Sequence, residues 1–406
     1  MTQWGTSNAP YLLGAAPHSF CAHGSSLDST LATSEGNKKF MTSHSVTAIA
    51  LRTAIAAALL VPTAGVLAAE INLPPVSVGA GVRSSFTSTD VDGAPEDVND
   101  FDLKSARIYV SGKVTDNISL MFNTEYNSDD EEMRVIDAVA QFAFSDQFNI
   151  WAGRFLPPSD RDNLTGPYYA SHWGVYRDGV QDGYPFETEG RDDGVAYWGQ
   201  FGIAKVSFGV FDVQGLTKND SDVLYAGRVQ LDFWDQEAGY YQNGTYYGDK
   251  DLLAVGLAGQ TASGDNAYSV DFLLEKKLGN AGVVTVEAEY AKYDGLGGYP
   301  SPRRNALGSS IAYDSSDGYY LLGAYLFPAQ VGIGKFQVLG KYGETTYDFA
   351  TGIDVDQKTL DLEVNYIIKQ FNARVSLFYI DVDYSPSPVT VSPSVTQIGL
   401  GLQVQI

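Results

Sequence analysis

The chain has 406 residues, of which 44% are hydrophobic and 13% aromatic, and it carries a formal charge of −23. That acidity excludes a nucleic-acid-binding surface, which needs clustered Lys and Arg against phosphate. The single cysteine, Cys21, excludes a disulfide scaffold, a thiolate metal site and covalently attached haem.

Residues 1–40 are Gly- and Ser-rich without periodicity, and are expected to be a mis-annotated or disordered extension ahead of Met41. Residues 41–69 read MTSHSVTAIALRTAIAAALLVPTAGVLAA. Arg52 supplies a positive flank, Thr53 to Val61 a short apolar run, and Val66-Leu67-Ala68 or Leu67-Ala68-Ala69 a cleavage site. This predicts a secretory signal peptide, since the apolar run is too short to span a bilayer. Lys38, Lys39 and Arg52 nearly balance Asp28 and Glu35. The acidic excess therefore belongs to residues 70–406.

From residue 75 onward the period is two, and no helical stretch follows that could cover an apolar sheet face. Sixteen strands are expected, near 75–88, 100–114, 118–127, 133–144, 148–155, 193–201, 204–213, 222–233, 251–262, 267–277, 282–293, 317–327, 332–345, 356–369, 371–382 and 395–406. The clearest are Ile136-Ala138-Ala140-Phe142-Phe144, Val284-Val286-Ala288-Tyr290 and Leu360-Leu362-Val364-Tyr366-Ile368. The last segment alternates Ile398, Leu400, Leu402, Val404 and Ile406 with Gln397, Gly399, Gly401, Gln403 and Gln405. Apolar residues outward and polar residues inward describe an all-β, transmembrane antiparallel barrel. Bulk hydropathy does not reveal such a barrel, because only alternate residues meet lipid.

Charges cannot face hydrocarbon cheaply, so the phase assigns inward positions. The acids are Asp137, Asp232, Asp271, Glu275, Glu287, Glu289, Asp361 and Glu363, and the bases are Arg107, Lys113, Arg228, Lys341 and Arg374. Short connections at 115–117, 145–147, 202–203, 278–281, 328–331 and Gln370 oppose longer ones at 89–99, 156–192, 294–316, 346–355 and 383–394. Trp234 to Lys250 breaks this alternation. It is long on the short side, which implies either an extra folded-back strand or a miscounted hairpin.

The third connection on the long-loop side, Leu156 to Asp192, is too long for a structureless loop. It is expected to fold inward and narrow the pore. Asp160, Arg161, Asp162, Asp178 and Asp182 are the candidate constriction residues, the acids facing the inward bases across water. Catalytic motifs are missing: there is no H-E-x-x-H, phosphate-binding glycine loop or C-x-x-C-H. His172 is the one histidine after residue 69, and without a nucleophile beside it loop packing or gating is favoured over catalysis. No catalytic residue, metal or cofactor is expected.

The runs Ala106 to Gly112, Ile118 to Tyr126 and Phe148 to Pro158 resemble the phosphate-selective porin O/P family. So does the segment from Phe233-Trp234-Asp235 through Gly239-Tyr240-Tyr241 to Tyr246-Tyr247-Gly248. The resemblance covers most of 75–406. It implies a sixteen-stranded, trimeric diffusion channel with an inward third loop. Two departures matter. Phosphate selectivity in that family rests on lumenal Arg and Lys, whereas eight inward acids here outnumber five bases. Strands of this kind commonly end in an aromatic residue, whereas this chain ends in Ile406. The reading is an outer-membrane porin of a Gram-negative bacterium, weakly cation-preferring, for passive diffusion of small hydrophilic solutes or ions. Its partners would be outer-membrane lipid, lipopolysaccharide and two further copies in a homotrimer. The alternatives are an anion- or phosphate-selective porin, and a barrel sheath around a periplasmic electron-transfer partner.

Overall fold

The computed structural model describes residues 75–127, 132–174, 180, 190–212, 223–294, 303–304, 310–311, 313–349, 352, 354–385 and 394–406. The expected extension and signal peptide lie outside these. The strands are β1 (Val76–Val91), β2 (Val98–Lys113), β3 (Ile118–Asn127), β4 (Glu132–Ser145), β5 (Phe148–Phe155), β6 (Asp192–Phe201), β7 (Ala204–Asp212), β8 (Val223–Asp232) and β9 (Leu252–Ala262). They continue with β10 (Asp265–Lys277), β11 (Val283–Asp294), β12 (Arg303–Arg304), β13 (Ser310–Ile311), β14 (Tyr313–Leu326), β15 (Lys335–Phe349), β16 (Asp354–Lys369), β17 (Ala373–Ser385) and β18 (Val395–Gln405). All but the β12–β13 pair form one closed barrel of sixteen antiparallel strands. β1 and β18 close it, from Gly81 opposite Gln405 to Val91 opposite Val395. Ala80 and Ile406 exchange both backbone hydrogen bonds, at 3.3 and 2.9 Å. Closure leaves no barrel edge unpaired.

Burial along the strands is inverted relative to a soluble sheet. On β18, Ile398, Leu400, Leu402 and Val404 are exposed, while Gln397, Gly399, Gly401, Gln403 and Gln405 are buried. Leu400 is 52% exposed and Gln403 0%. An apolar exterior around a polar interior is stable only when lipid surrounds it. Rings gather beside the short turns: Phe144, Phe148 and Tyr197 at one, Tyr325 and Phe327 at another, Phe336 and Tyr366 at a third. Such amphipathic rings suit the level of the lipid headgroups.

Three expectations on the strands need correction. Ile136 does not continue the outward face of β4. Asn123 pairs with Asp137 but Thr124 pairs with Val135, so Ile136 is the extra residue of a β-bulge and is buried. β15 starts at Lys335 rather than 332, because Val331 to Gly334 forms a tight turn closed by a 2.8 Å backbone bond. β15 and β16 also run on to Phe349 and from Asp354, which shortens the connection expected at 346–355.

Candidate functional site: the charged interior of the barrel

Beyond β5 the chain turns through Pro157-Pro158 into a short helix, α1 (Arg161–Tyr169). Asp160 caps it: its carboxylate accepts from the Asn163 N–H at 2.8 Å and from the Asn163 side-chain amide at 2.6 Å. Gly166, at φ 66° and ψ 174°, breaks the helix in a conformation open only to glycine, and Pro167 follows it. The chain leaves the helix at Ala170 in an extended conformation and then bends through Ser171, His172 and Trp173.

This segment reaches much of the inner wall. Arg228 on β8 donates to the Ser159 carbonyl at 3.0 Å, and Gln260 on β9 to the Pro158 carbonyl at 3.3 Å. Asp162 pairs with Lys341 on β15 at 3.4 Å. Gln403 on β18 donates to the Tyr168 carbonyl at 2.9 Å. Arg374 on β17 donates to the carbonyls of Ala170, Ser171 and His172 at 2.9, 3.1 and 3.3 Å. Glu363 on β16 accepts the Trp173 N–H, and Arg83 on β1 donates to the Trp173 carbonyl at 3.0 Å. The Trp173 ring stacks on Phe378 at 5.8 Å.

The connection after β8, Phe233 to Asp251, is neither an extra strand nor a sign of a miscount. It enters the barrel from the opposite end without strand structure and meets the α1 segment. Glu237 and Arg161 form a two-pronged ion pair with contacts of 2.5 and 3.0 Å, both side chains fully buried. The Gln242 N–H donates to the Leu164 carbonyl at 3.2 Å and the Gly244 N–H to the Tyr169 carbonyl at 3.0 Å. Tyr240 donates to the Leu156 carbonyl at 2.8 Å. Wall residues hold the turn from behind. Lys205 donates to the Glu237 carbonyl at 3.1 Å. Glu275 accepts from Thr245 and from the N–H groups of Tyr246 and Gly248, at 2.6, 2.9 and 2.7 Å. Burial alone would raise the Glu237 carboxyl. The charge and hydrogen bonds of Arg161, aided by Lys205 and the Tyr246 hydroxyl, instead hold it at about 2.

The remaining inward charges divide by partner. Arg107 pairs with Glu125 at 2.6 Å, Arg228 with Asp271, and Asp137 with Arg191 at 3.0 Å. Asp271 also lies 3.6 Å from the Arg161 Nε. Asp232 accepts from Gln230 at 2.6 Å and from the Glu237 N–H at 3.3 Å. Glu287 accepts from Tyr320 at 3.0 Å. Glu289 is buried with neither carboxylate oxygen hydrogen-bonded among the described residues. Asp361 lies under Gly174, where an added Cβ would sit 3.0 Å from its Oδ2. Lys113, at the end of β2, is exposed. Asp178 and Asp182 lie outside the described residues.

Charges expected to face one another across water are thus in direct contact. The loop supplies a base, Arg161, to the acids Glu237 and Asp271, as well as an acid, Asp162, to the base Lys341. His172 lies 3.2 Å from Lys341. Burial, and then Lys341, Arg374 and Arg83, push its imidazole well below the ordinary range. It is therefore neutral at pH 7. Among the described residues no group of three or more His, Cys, Asp and Glu side chains is placed to hold a metal ion. Glu237 and Glu125 were not among the sequence candidates. The signal for Glu237 was the anomalous length of its turn, and the signal for Glu125 was its inward phase opposite Arg107.

Residues 76–170, from β1 through α1, match the family described as phosphate-selective porin O and P. The match spans less than a quarter of the chain. The chain's fold is that of solved porins at low sequence identity. OmpF of Salmonella typhi, solved in complex with daunomycin, is 13% identical with a TM-score of 0.55, covering 82% of this chain and 98% of the other. The outer-membrane channel DcaP of Acinetobacter baumannii is 13% identical with a TM-score of 0.52, covering 82% and 97%. The anion-selective porin of Comamonas acidovorans is 15% identical with a TM-score of 0.51, covering 82% and 100%. No curated protein sequence matches the chain. The family match and the fold support an outer-membrane channel for passive diffusion, and the charges described above line its interior.

Proposed function

We propose that this porin passes small hydrophilic solutes and ions with a modest preference for cations, and without catalysing a reaction. The observation that supports this is how the inward charges are paired. Arg107, Arg161, Arg228 and Lys341 each contact a carboxylate, and Arg83, Lys205 and Arg374 are spent on loop carbonyls. Glu275, Glu287 and Glu363 accept from neutral donors instead, and Glu289 has no hydrogen-bond partner among the described residues. The uncompensated interior charge is negative, and a narrow aqueous path concentrates the opposite ion. Reversal potential in a salt gradient tests the reading, and an anion-selective potential would sink it. The second reading, an anion- or phosphate-selective porin, is favoured by the family match alone.

The barrel would be embedded among outer-membrane lipid and lipopolysaccharide as a homotrimer, for which cross-linking in mild detergent is the test. Residues 41–69 would be removed on export, with residues 1–40 dispensable. N-terminal sequencing should then find Ala69 or Glu70 first, and a mature start upstream of Met41 would refute it.

A further inference from the structure

Passive diffusion through this barrel conflicts with one feature of its interior. The inward strand charges described above, from Arg107 on β2 to Arg374 on β17, are at most 7% exposed, Lys113 excepted. A solute moving through the lumen must meet these walls, yet α1 and its flanks cover them from one end and the Phe233 to Asp251 turn from the other. We propose that these two segments form a two-part plug, latched by Arg161 and Glu237, that must part before a solute passes. The inference rests on the barrel being a diffusion channel.

The joint is built as a separable contact. Among the described residues its polar contacts are the one ion pair, the Arg161 bond to the Asn243 carbonyl at 3.2 Å, the Tyr240 bond to the Leu156 carbonyl and the two backbone bonds from Gln242 and Gly244, beside apolar packing of Tyr240 and Tyr241 in the cluster that holds Leu156 and Leu164. Each half also has its own attachments to the wall. The α1 segment hangs from Arg83, Arg374 and Gln403, and the turn from Lys205 and Glu275. Either half can leave the other while remaining tethered to the barrel. Breaking the joint exposes a guanidinium and a carboxylate to water, where both are well solvated, so opening leaves no charge stranded in an apolar place.

A reversible cross-link tests the proposal. A Cβ on Gly244 would lie 3.3 Å from the Ala170 Cα, which makes the two positions direct neighbours across the joint. Ala170→Cys with Gly244→Cys, in a Cys21→Ser background, is assembled, checked by heat-modifiable migration and measured in a planar bilayer. We expect oxidation to lower conductance at least tenfold and dithiothreitol to restore it. Equal conductance in the two states would overturn the plug. The double variant Arg161→Ser/Glu237→Ser provides a readout without engineered cysteines, and we expect it to stay open several-fold longer than the parent. Open times like the parent's would also overturn the plug. Should the parent and every folded variant fail to conduct, the channel reading itself falls, and the plug with it.

Discussion

The indole of Trp173 rests on Gly401 of β18, so that a Cβ on that glycine would come within 2.6 Å of the ring. Glycine at this position serves as a seat for the loop. Next to it, Gly399 gives the same clearance to Phe378, where an added Cβ would lie 2.2 Å from the ring. The loop's far end is thus anchored by a stacked pair standing on two glycines.

Gly401→Val is expected to unseat Trp173 while leaving the barrel assembled. Overpacking of this kind costs about 1–3 kcal/mol, charged mainly to loop docking because the ring can move and the strand is held on both sides. A red-shifted tryptophan emission with unchanged heat-modifiable migration is the expected result. Loss of migration would show that the strand itself cannot accept the substitution.

Arg161→Ser alone should harm the plug more than Arg161→Ser combined with Glu237→Ser. Removing one partner of a fully buried pair strands the other charge, at about 3–5 kcal/mol, whereas removing both does not. Limited proteolysis of the Phe233 to Asp251 turn in folded protein would rank the variants. Equal cleavage of the single and double variants would place the stability of the joint elsewhere.

The latch should also respond to acid. The Glu237 carboxyl sits at about 2 in the fold, against an ordinary value of 4.5. A depressed carboxylate stabilises the fold fully above its ordinary value and loses that contribution as pH falls through its folded value. The contribution of Glu237 to the joint should therefore be constant above about pH 4.5 and weaken progressively toward pH 2. In Glu237→Gln this acid-induced loosening, followed by proteolytic nicking, should disappear. Persistence of the full acid response in that variant would assign it to other groups.

Leu400→Arg and Gln403→Arg, three residues apart on β18, should fail in different ways. The first places a charge toward lipid, at about 2–4 kcal/mol near the midplane, and should impair assembly. The second enters a packed site where Gln403 holds the carbonyls of Tyr168 and Phe371 at 2.9 and 2.7 Å. It should assemble but lose loop anchoring, seen as noisier single-channel current. Identical gel behaviour and identical current noise would refute the distinction.

The barrel was legible because period-two alternation is a local property repeated sixteen times. Every barrel strand lies within a few residues of its expected range, and the inward phase of Asp271, Glu287, Asp361 and Glu363 follows from the cost of charge in hydrocarbon. The bulge at Ile136 was not legible, because one extra residue leaves the alternation on either side intact. Nor was the filling of the lumen. Phase says that Gln403 points inward, and inward suggested water, but Tyr168 and Phe371 occupy that space. The turn after β8 showed only as an unexplained length, since Glu237 meets Arg161 across 76 residues of sequence with no periodicity to announce it.

The pairing of Val82 with Val404 and Phe86 with Leu400 joins strands more than 300 residues apart in the chain. Loop-closure entropy for such a contact must be met before neighbouring hydrogen bonds reward it. The other barrel strands can add hairpin by hairpin, each one templated by the last, but the cylinder seals only at this seam. Until then β1 and β18 each present an open row of backbone donors and acceptors, the kind of edge that pairs with any available strand. The seam is thus the slow and error-prone step of assembly, and the place where a helper protein offering a temporary strand would have the most to contribute.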